Sequence, residues 1–325
     1  NKEATFSPKF YADEKILLQT QYRQVNLDSN HIADFSYYAE KGNKSKNHFF
    51  YDYENEYDSK NFKNNKISLK IQQTSSDTYL KADKLENEIT SDYNVLENSL
   101  GLDVYSDDLS ISFKTDVYED LNKDKNDRYE YILPRINLVK NIDNKTNLNG
   151  NFTFESQALI RNYNTNVFER NNTNDLIFKS YPKITTNGFY NNYEFLIKNS
   201  NISNKNSTYK NDESFYLSSI FQYNSSLPLI KENNFYRKIL KPKLSFKIAP
   251  PHTKDNKNED IKIDLSNIYS IDRLSDKTTE GGFSVAYGSD YSIFDNSKSR
   301  EILNIKLANN FRFDENDDLS NTNQI

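Results

Sequence analysis

Alternation with a period of two is the feature that most restricts this chain. In "EGGFSVAYGSDYSIF" (280–294), Phe283, Val285, Tyr287, Ser289, Tyr291 and Ile293 fall on one face of an extended segment. Ser284, Ala286, Gly288, Asp290, Ser292 and Phe294 fall on the other. The same division sets Ile16, Leu18, Thr20 and Tyr22 against Gln19, Gln21 and Arg23, and Ile67, Leu69 and Ile71 against Ser68, Lys70 and Gln72. It sets Leu109, Ile111, Phe113 and Val117 against Ser110, Ser112, Lys114 and Asp116. It recurs with Phe152, Phe154, Ala158 and Ile160 against Thr153, Glu155, Gln157 and Arg161, and with Leu244, Phe246 and Ile248 against Lys243, Ser245 and Lys247. Its cleanest case sets Leu303, Ile305, Leu307, Phe311 and Phe313 against Asn304, Lys306, Ala308, Asn310 and Arg312. Successive side chains of a strand point to opposite faces, so the pattern predicts half-buried β-strands.

Polar segments such as "KGNKSKN", "LNKDKNDR", "NSNISNKNSTYKND" and "HTKDNKNED" separate these runs, alternating with short connections. That layout predicts an antiparallel meander of roughly a dozen strands without a fixed-length repeat. A helix is expected around "YLKADKLENEI" (79–89). Sheets beyond ~10 strands tend to curl, split or close. Runs of ten to twelve alternating residues match the ~9 to 11 a tilted strand needs to cross a membrane. Alternation by itself leaves two solutions open: lipid outside a wet lumen, or a dry core with a wet exterior.

Composition narrows the function classes. With 42 basic and 47 acidic residues the chain carries no basic footprint, so no nucleic-acid partner is expected. Cysteine is absent, and His31, His48 and His252 stand at no mutual ligand spacing, so neither a metal site nor a cofactor is expected. "DENDD" (314–318) reads as a solvated loop. No Gly-rich phosphate loop opens a helix and no G-x-S-x-G elbow occurs, so no catalytic residue is assigned. The chain begins "NKEATFSPKF" and ends "DLSNTNQI", which is expected of an interior piece of a longer protein. Pro8 falls within a run expected to be a strand, where it removes a ladder donor and marks an edge, a bulge, a weak seam or a strand end. Pro134 and Pro242 stand near strand starts, and Pro250–Pro251 closes one.

Four segments in order resemble one family. "EATFSPKFYADEKILLQTQYRQVN" is similar to an early barrel hairpin in which a T-x-x-P strand turns into a strand ending in E/Q-Y-R. "YILPRINLVKNIDNKTNLNGNFTFESQALIRNYN" resembles a P-x-I-N-L strand followed by a long alternating one, and "ILKPKLSFKIAPPHTKD" an L-x-P-x-x-x-Y strand with its loop. "NIYSIDRLSDKTTEGGFSVAYGSDY" resembles a D/N-R element ahead of a strand with small inward residues. The family is that of the lipopolysaccharide-assembly outer-membrane protein LptD (OstA/Imp). The resemblance implies that residues 1–325 are part of a single antiparallel transmembrane β-barrel domain, a partial barrel or curved sheet. The periplasmic N-terminal domain, the first strand and the last strands would lie outside this segment. It implies a cell outer-membrane location and a non-enzymatic conduit for lipopolysaccharide, with lipid A released sideways through a strand seam. The partners implied are outer-membrane lipid, an LptE-like plug lipoprotein and an LptA-like periplasmic bridge protein. Pro8 would lie in the lateral-gate region. Gln19, Gln21, Arg23, Lys70, Lys114, Glu155, Gln157, Lys306 and Arg312 are the lumen-facing candidates, while Phe283, Val285 and Tyr287 would face lipid. The rival readings are another large outer-membrane barrel, a porin or TonB-dependent receptor, and a soluble β-protein that binds polysaccharide.

Overall fold

The computed structural model describes residues 1–11, 14–82, 85, 87–90, 92–206, 213–250, 262–274, 278–298 and 300–313. The fold is all-β and antiparallel, with seventeen strands in one sheet and, among the described residues, a single helical turn. The strands number more than the dozen that periodicity suggests. Two are short, and several long ones are so rich in Asn and Tyr that polar residues fall on both faces. The helix expected over 79–89 shortens to one turn, α1 (Tyr79–Ala82). The "DENDD" segment lies outside the described residues.

Two compact units divide the chain: Asn1–Val139 with Ser156–Asn172 and Ile202–Glu213, and Lys140–Glu155 with Thr173–Asn201 and Ser214–Ile325. In the first unit β1 (Lys2–Tyr11), β2 (Lys15–Val25), β3 (Ser29–Glu40), β4 (Lys46–Tyr57), β5 (Asn65–Thr74), β6 (Val95–Tyr105) and β7 (Leu109–Asp120) pair each with the next. Then follow β8 (Tyr129–Ile142), β9 (Gly150–Tyr163), β10 (Val167–Ser180), the two-residue β11 (Lys183–Ile184) and β12 (Tyr190–Lys205). The second unit holds β13 (Ser214–Ser226), β14 (Leu229–Glu232), β15 (Tyr236–Ala249), β16 (Gly282–Asp295) and β17 (Arg300–Arg312). There β15 pairs with β13 and β14 on one side and with β16 on the other, and β16 pairs with β17.

Turn chemistry follows from composition. Only seven glycines occur, so asparagine takes the left-handed backbone that tight turns require. Asn64, Asn164, Asn166 and Asn206 all have positive φ. Asp295 accepts from the Ser297 amide at 2.9 Å and so closes the β16–β17 turn.

Burial runs opposite to that of a water-soluble sheet. Phe6, Phe10, Phe35, Phe49, Phe215, Leu217, Leu307 and Phe311 are exposed, whereas Asp34, His48, Gln72, Asp116, Lys198, Gln222, Lys247 and Arg273 are buried. On β4 the exposed aromatics Phe49 and Tyr57 stand eight residues apart, about 26 Å along the strand at a rise of ~3.3 Å per residue. At the ~35–45° tilt of membrane-barrel strands that run rises about 20 Å, most of the ~25 Å apolar band between their aromatic girdles. Leu303, Ile305, Leu307, Phe311 and Phe313 are likewise all exposed. A Lys at the midplane of a lipid-facing strand costs ~2–4 kcal/mol. Ile305→Lys is therefore expected to lower the yield of heat-modifiable, folded protein severalfold, while Asn304→Lys, on the other face of β17, leaves it near wild type. Equal yields for the two variants would reject a lipid-facing role for this row.

Candidate functional site: two covered polar faces

In the first unit the odd residues of β2 and the even residues of β3, β4, β5 and β7 share a face, and the connection between β5 and β6 folds back over it. Tyr79, Leu80, Leu85 and Ile89 of that connection pack with Leu17, Tyr38, Phe50, Leu96 and Leu121 as one buried cluster. Under this cap runs a chain of hydrogen bonds. Tyr79 Oη lies 2.7 Å from Ser36 Oγ, which lies 2.5 Å from His48 Nδ1. His48 Nε2 lies 2.8 Å from Asp34 Oδ1, and Gln19 Nε2 donates to both Asp34 oxygens at 3.1 Å. One set of hydrogens satisfies every contact, each group donating towards the carboxylate. Ser36, His48 and Asp34 have the composition of a hydrolytic triad, yet all three are buried and the serine already engages Tyr79. The arrangement anchors a connection and offers no approach to a substrate.

Ion pairs extend along this face. Arg23 donates to Gln21 at 2.7 Å and pairs with Glu88 of the connection at 2.5 Å. Lys70 and Lys114 converge on Glu97, at 3.1 and 3.3 Å, and Lys114 also reaches Asp116 at 2.9 Å. Arg128 holds Asp77 at the opposite side of the same connection.

In the second unit the β15–β16 connection lies over the covered face, where Ile271 packs with Leu196, Ile220 and Ala249. Arg273 is its hub. The guanidinium forks onto Glu280 and donates to the Ile268 carbonyl at 2.8 Å, Ser284 Oγ at 3.0 Å and Asn310 Oδ1 at 3.0 Å. Glu280 also meets Arg312 at 2.9 Å and Lys247 at 3.8 Å. Lys198 joins Asp272 at 2.7 Å and Asp175 at 3.2 Å. Lys247 donates to the Ser270 carbonyl at 2.8 Å, and Gln222 to the Tyr269 carbonyl at 2.7 Å. Burial would by itself raise the Glu280 carboxyl, but Arg273, Lys247 and Arg312 override it and hold it at about 2.

The residues singled out by sequence are placed as follows. Gln19, Gln21 and Arg23 share one face of β2, with Gln19 on Asp34 and Gln21 and Arg23 bonded to each other, and Lys70 and Lys114 share one carboxylate. Arg312 joins the Arg273 hub. Glu155 is half-buried on β9, Gln157 is exposed, and Lys306 is exposed without an ion-pair partner among the described residues. Ser284 and Ala286 are buried, Tyr287 is exposed, and Phe283 and Val285 are half-buried. Periodicity does not single out Asp34, Ser36, Tyr79, Lys198 or Glu280. The D-R pair of "SIDRLSD" does mark Arg273.

Pro8 has a defined geometry on β1. Asn1 and Val25 exchange both backbone hydrogen bonds, at 2.7 and 2.9 Å. Bonded and non-bonded pairs alternate along an antiparallel ladder, which makes Pro8–Leu18 a non-bonded pair. The Pro8 nitrogen therefore points away from β2, and the missing donor lies on the other side of β1.

A family model described as LptD, LPS transport system D, matches residues 46–324. No curated protein matches the chain. A solved structure titled "Bacterial polysaccharide outer membrane secretin" is similar at 9% identity, covering 92% of this chain and 91% of that one with a TM-score of 0.28. That likeness is too slight to bear on the fold.

Proposed function

The chain belongs to the LptD family, LPS transport system D, and from that premise we propose that it forms part of the wall of an outer-membrane barrel that delivers lipopolysaccharide to the outer leaflet. The family match carries this reading. The inverted burial supports it physically: an apolar surface suits lipid, and covered charges suit a hydrated, phosphorylated sugar whose charges need solvation. Sugar passes along the polar faces while lipid A leaves through a seam beside β1. Residues 1–325 belong to one barrel domain, and Gln19, Gln21, Arg23, Lys70, Lys114, Glu155, Gln157, Lys306 and Arg312 line its lumen. An LptE-like lipoprotein and an LptA-like bridge protein are its partners in the outer membrane. Depleting the full-length protein should reduce surface lipopolysaccharide, and unchanged surface levels would reject the reading.

Pro8 supplies the gate in this proposal. Its missing donor lies on the side of β1 that faces away from β2, so it weakens pairing there and spares the β1–β2 hairpin. A net hydrogen bond contributes only ~0.5–1.5 kcal/mol, enough to change the frequency of a local opening severalfold. Pro8→Ala in the full-length protein is expected to reduce surface lipopolysaccharide about two- to tenfold at normal barrel yield, following that energy. Unchanged delivery would remove Pro8 from the gate.

A further inference from the structure

A second proline site breaks the sheet within the other unit. β13 and β14 share one register against β15, with Ser226 opposite Lys243 and Leu229 opposite Leu240, so they are two halves of one strand parted at Leu227–Pro228. Leu227 donates its amide to the Pro242 carbonyl at 3.1 Å. In a regular pair the facing residue returns that bond, and Pro242 has no amide hydrogen to return it. Pro228 in turn presents no donor on the side away from β15.

A cavity of about 210 Å³ opens at this break, lined by Tyr190, Asn192, Asn224, Lys241, Lys243 and Tyr269 among others. Lys241 and Lys243 flank Pro242 and point to the covered face. Lys243 is held by Asp290 and lies over the Tyr269 ring at 5.3 Å. Lys241 has neither an ion pair nor a side-chain hydrogen bond among the described residues. Asn224 accepts from Gln222 at 2.9 Å, which leaves its own amide hydrogens free to donate. Ser226, on the same face as Asn224, also lines the cavity, which Ser225 borders from the other face of β13. The Tyr269 hydroxyl is buried with no partner among the described residues. The wall thus combines two ammonium groups against one carboxylate, unused hydroxyl and amide donors, and two aromatic rings.

We propose that this cavity is a binding subsite for a phosphorylated sugar, with the phosphate on Lys241 and Lys243 and the sugar hydroxyls on Asn224 and Ser226. The origin of that group rests on the transport reading above. A phosphate needs concentrated positive charge and several donors, and a pyranose ring prefers amide, hydroxyl and aromatic neighbours. The proline break supplies the space, because a continuous ladder would close it.

The test titrates glucose 1-phosphate into the full-length protein in detergent by calorimetry, with glucose and dihexanoylphosphatidylglycerol in parallel. Saturable binding of glucose 1-phosphate is expected. Lys241→Gln should weaken it at least tenfold and Lys241→Arg should restore it, all three proteins showing the same heat-modifiable migration. No binding of the sugar phosphate, binding of the lipid alone, or equal affinity for wild type and Lys241→Gln would overturn the subsite. The binding readout is separate from transport. Protein that binds glucose 1-phosphate yet delivers no lipopolysaccharide would reject the export reading and leave the subsite standing.

Discussion

Replacing Arg273 with alanine is expected to release the β15–β16 connection from the covered face of its unit. The guanidinium makes five contacts from one buried position, two of them to the equally buried Glu280. Removing one partner of a buried pair costs about 3–5 kcal/mol, since the other charge stays behind without its main ligand. Chymotryptic cleavage at Tyr269 in folded, detergent-solubilised protein should then rise at least tenfold over wild type. Arg273→Lys keeps the charge but loses the planar fork, and should fall between the two. An Arg273→Ala protein as resistant as wild type would show that Ile271 and the contacts of Asp272, Ser270 and Tyr269 hold the segment without the guanidinium.

The same hub gives the connection an acid-sensitive anchor. Glu280 is held at about 2 against an ordinary 4.5. A carboxylate depressed on folding stabilises above its unfolded value, and that contribution is lost as pH falls through the folded one. Anchoring should therefore be full above about pH 5 and decline towards pH 2. Peptic cleavage of the connection, normalised to an unfolded peptide of the same sequence, should rise across that window. In Arg273→Ala only Arg312 and Lys247 hold Glu280, so the rise should begin at a higher pH. A pH-independent cleavage rate would remove Glu280 from the anchor.

Much of this fold is legible because strands have only one period to display. Ile305 and Lys306 declare opposite faces from their spacing alone, as do Leu18 and Gln19. Which face is covered is a different matter. Alternation is symmetric between a dry core and a lipid surface, and the burial of Asp34, His48 and Lys198 beside exposed Phe35 and Phe49 decides it. The connections were the least legible part. "YLKADKLENEI" reads as a helix, yet beyond the single turn α1 its Leu85 and Ile89 join Tyr79 and Leu80 in a cap whose path is set by the surface beneath it. "SIDRLSDKTTE" has the charge of a solvated loop, and its Arg273 and Glu280 are buried because each finds the other. A pair seven residues apart leaves no periodic trace. Pro8 is visible in sequence, but the direction of its nitrogen follows only from the register begun at Asn1–Val25.

Gly288→Ala should be among the most damaging single-methyl changes in the chain. Gly288 lies opposite Ala308 on β17 and Lys243 on β15. A Cβ there would stand 2.1 Å from the Leu307 carbonyl oxygen, 2.8 Å from Ala308 Cα and 2.5 Å from the Tyr269 hydroxyl. Two of those neighbours are backbone of a paired strand, so relief requires moving β17 or giving up part of its ladder. Overpacking costs 1–3 kcal/mol where side chains can yield, and about 3 kcal/mol or more is expected where backbone must. The Tyr269 ring, which sits in the notch that glycine leaves, would be expelled together with the carbonyl that Gln222 holds. Gly101→Ala is the internal control. Its Cβ would meet only the Ser68 side chain, with Oγ at 2.4 Å, and a serine hydroxyl can rotate away. Urea unfolding of the two variants in the same detergent, followed by heat-modifiable migration, should separate their midpoints clearly, with Gly101→Ala near wild type. If both variants unfolded with the wild-type midpoint, the close approach of β16, β17 and Tyr269 at Gly288 would be wrong.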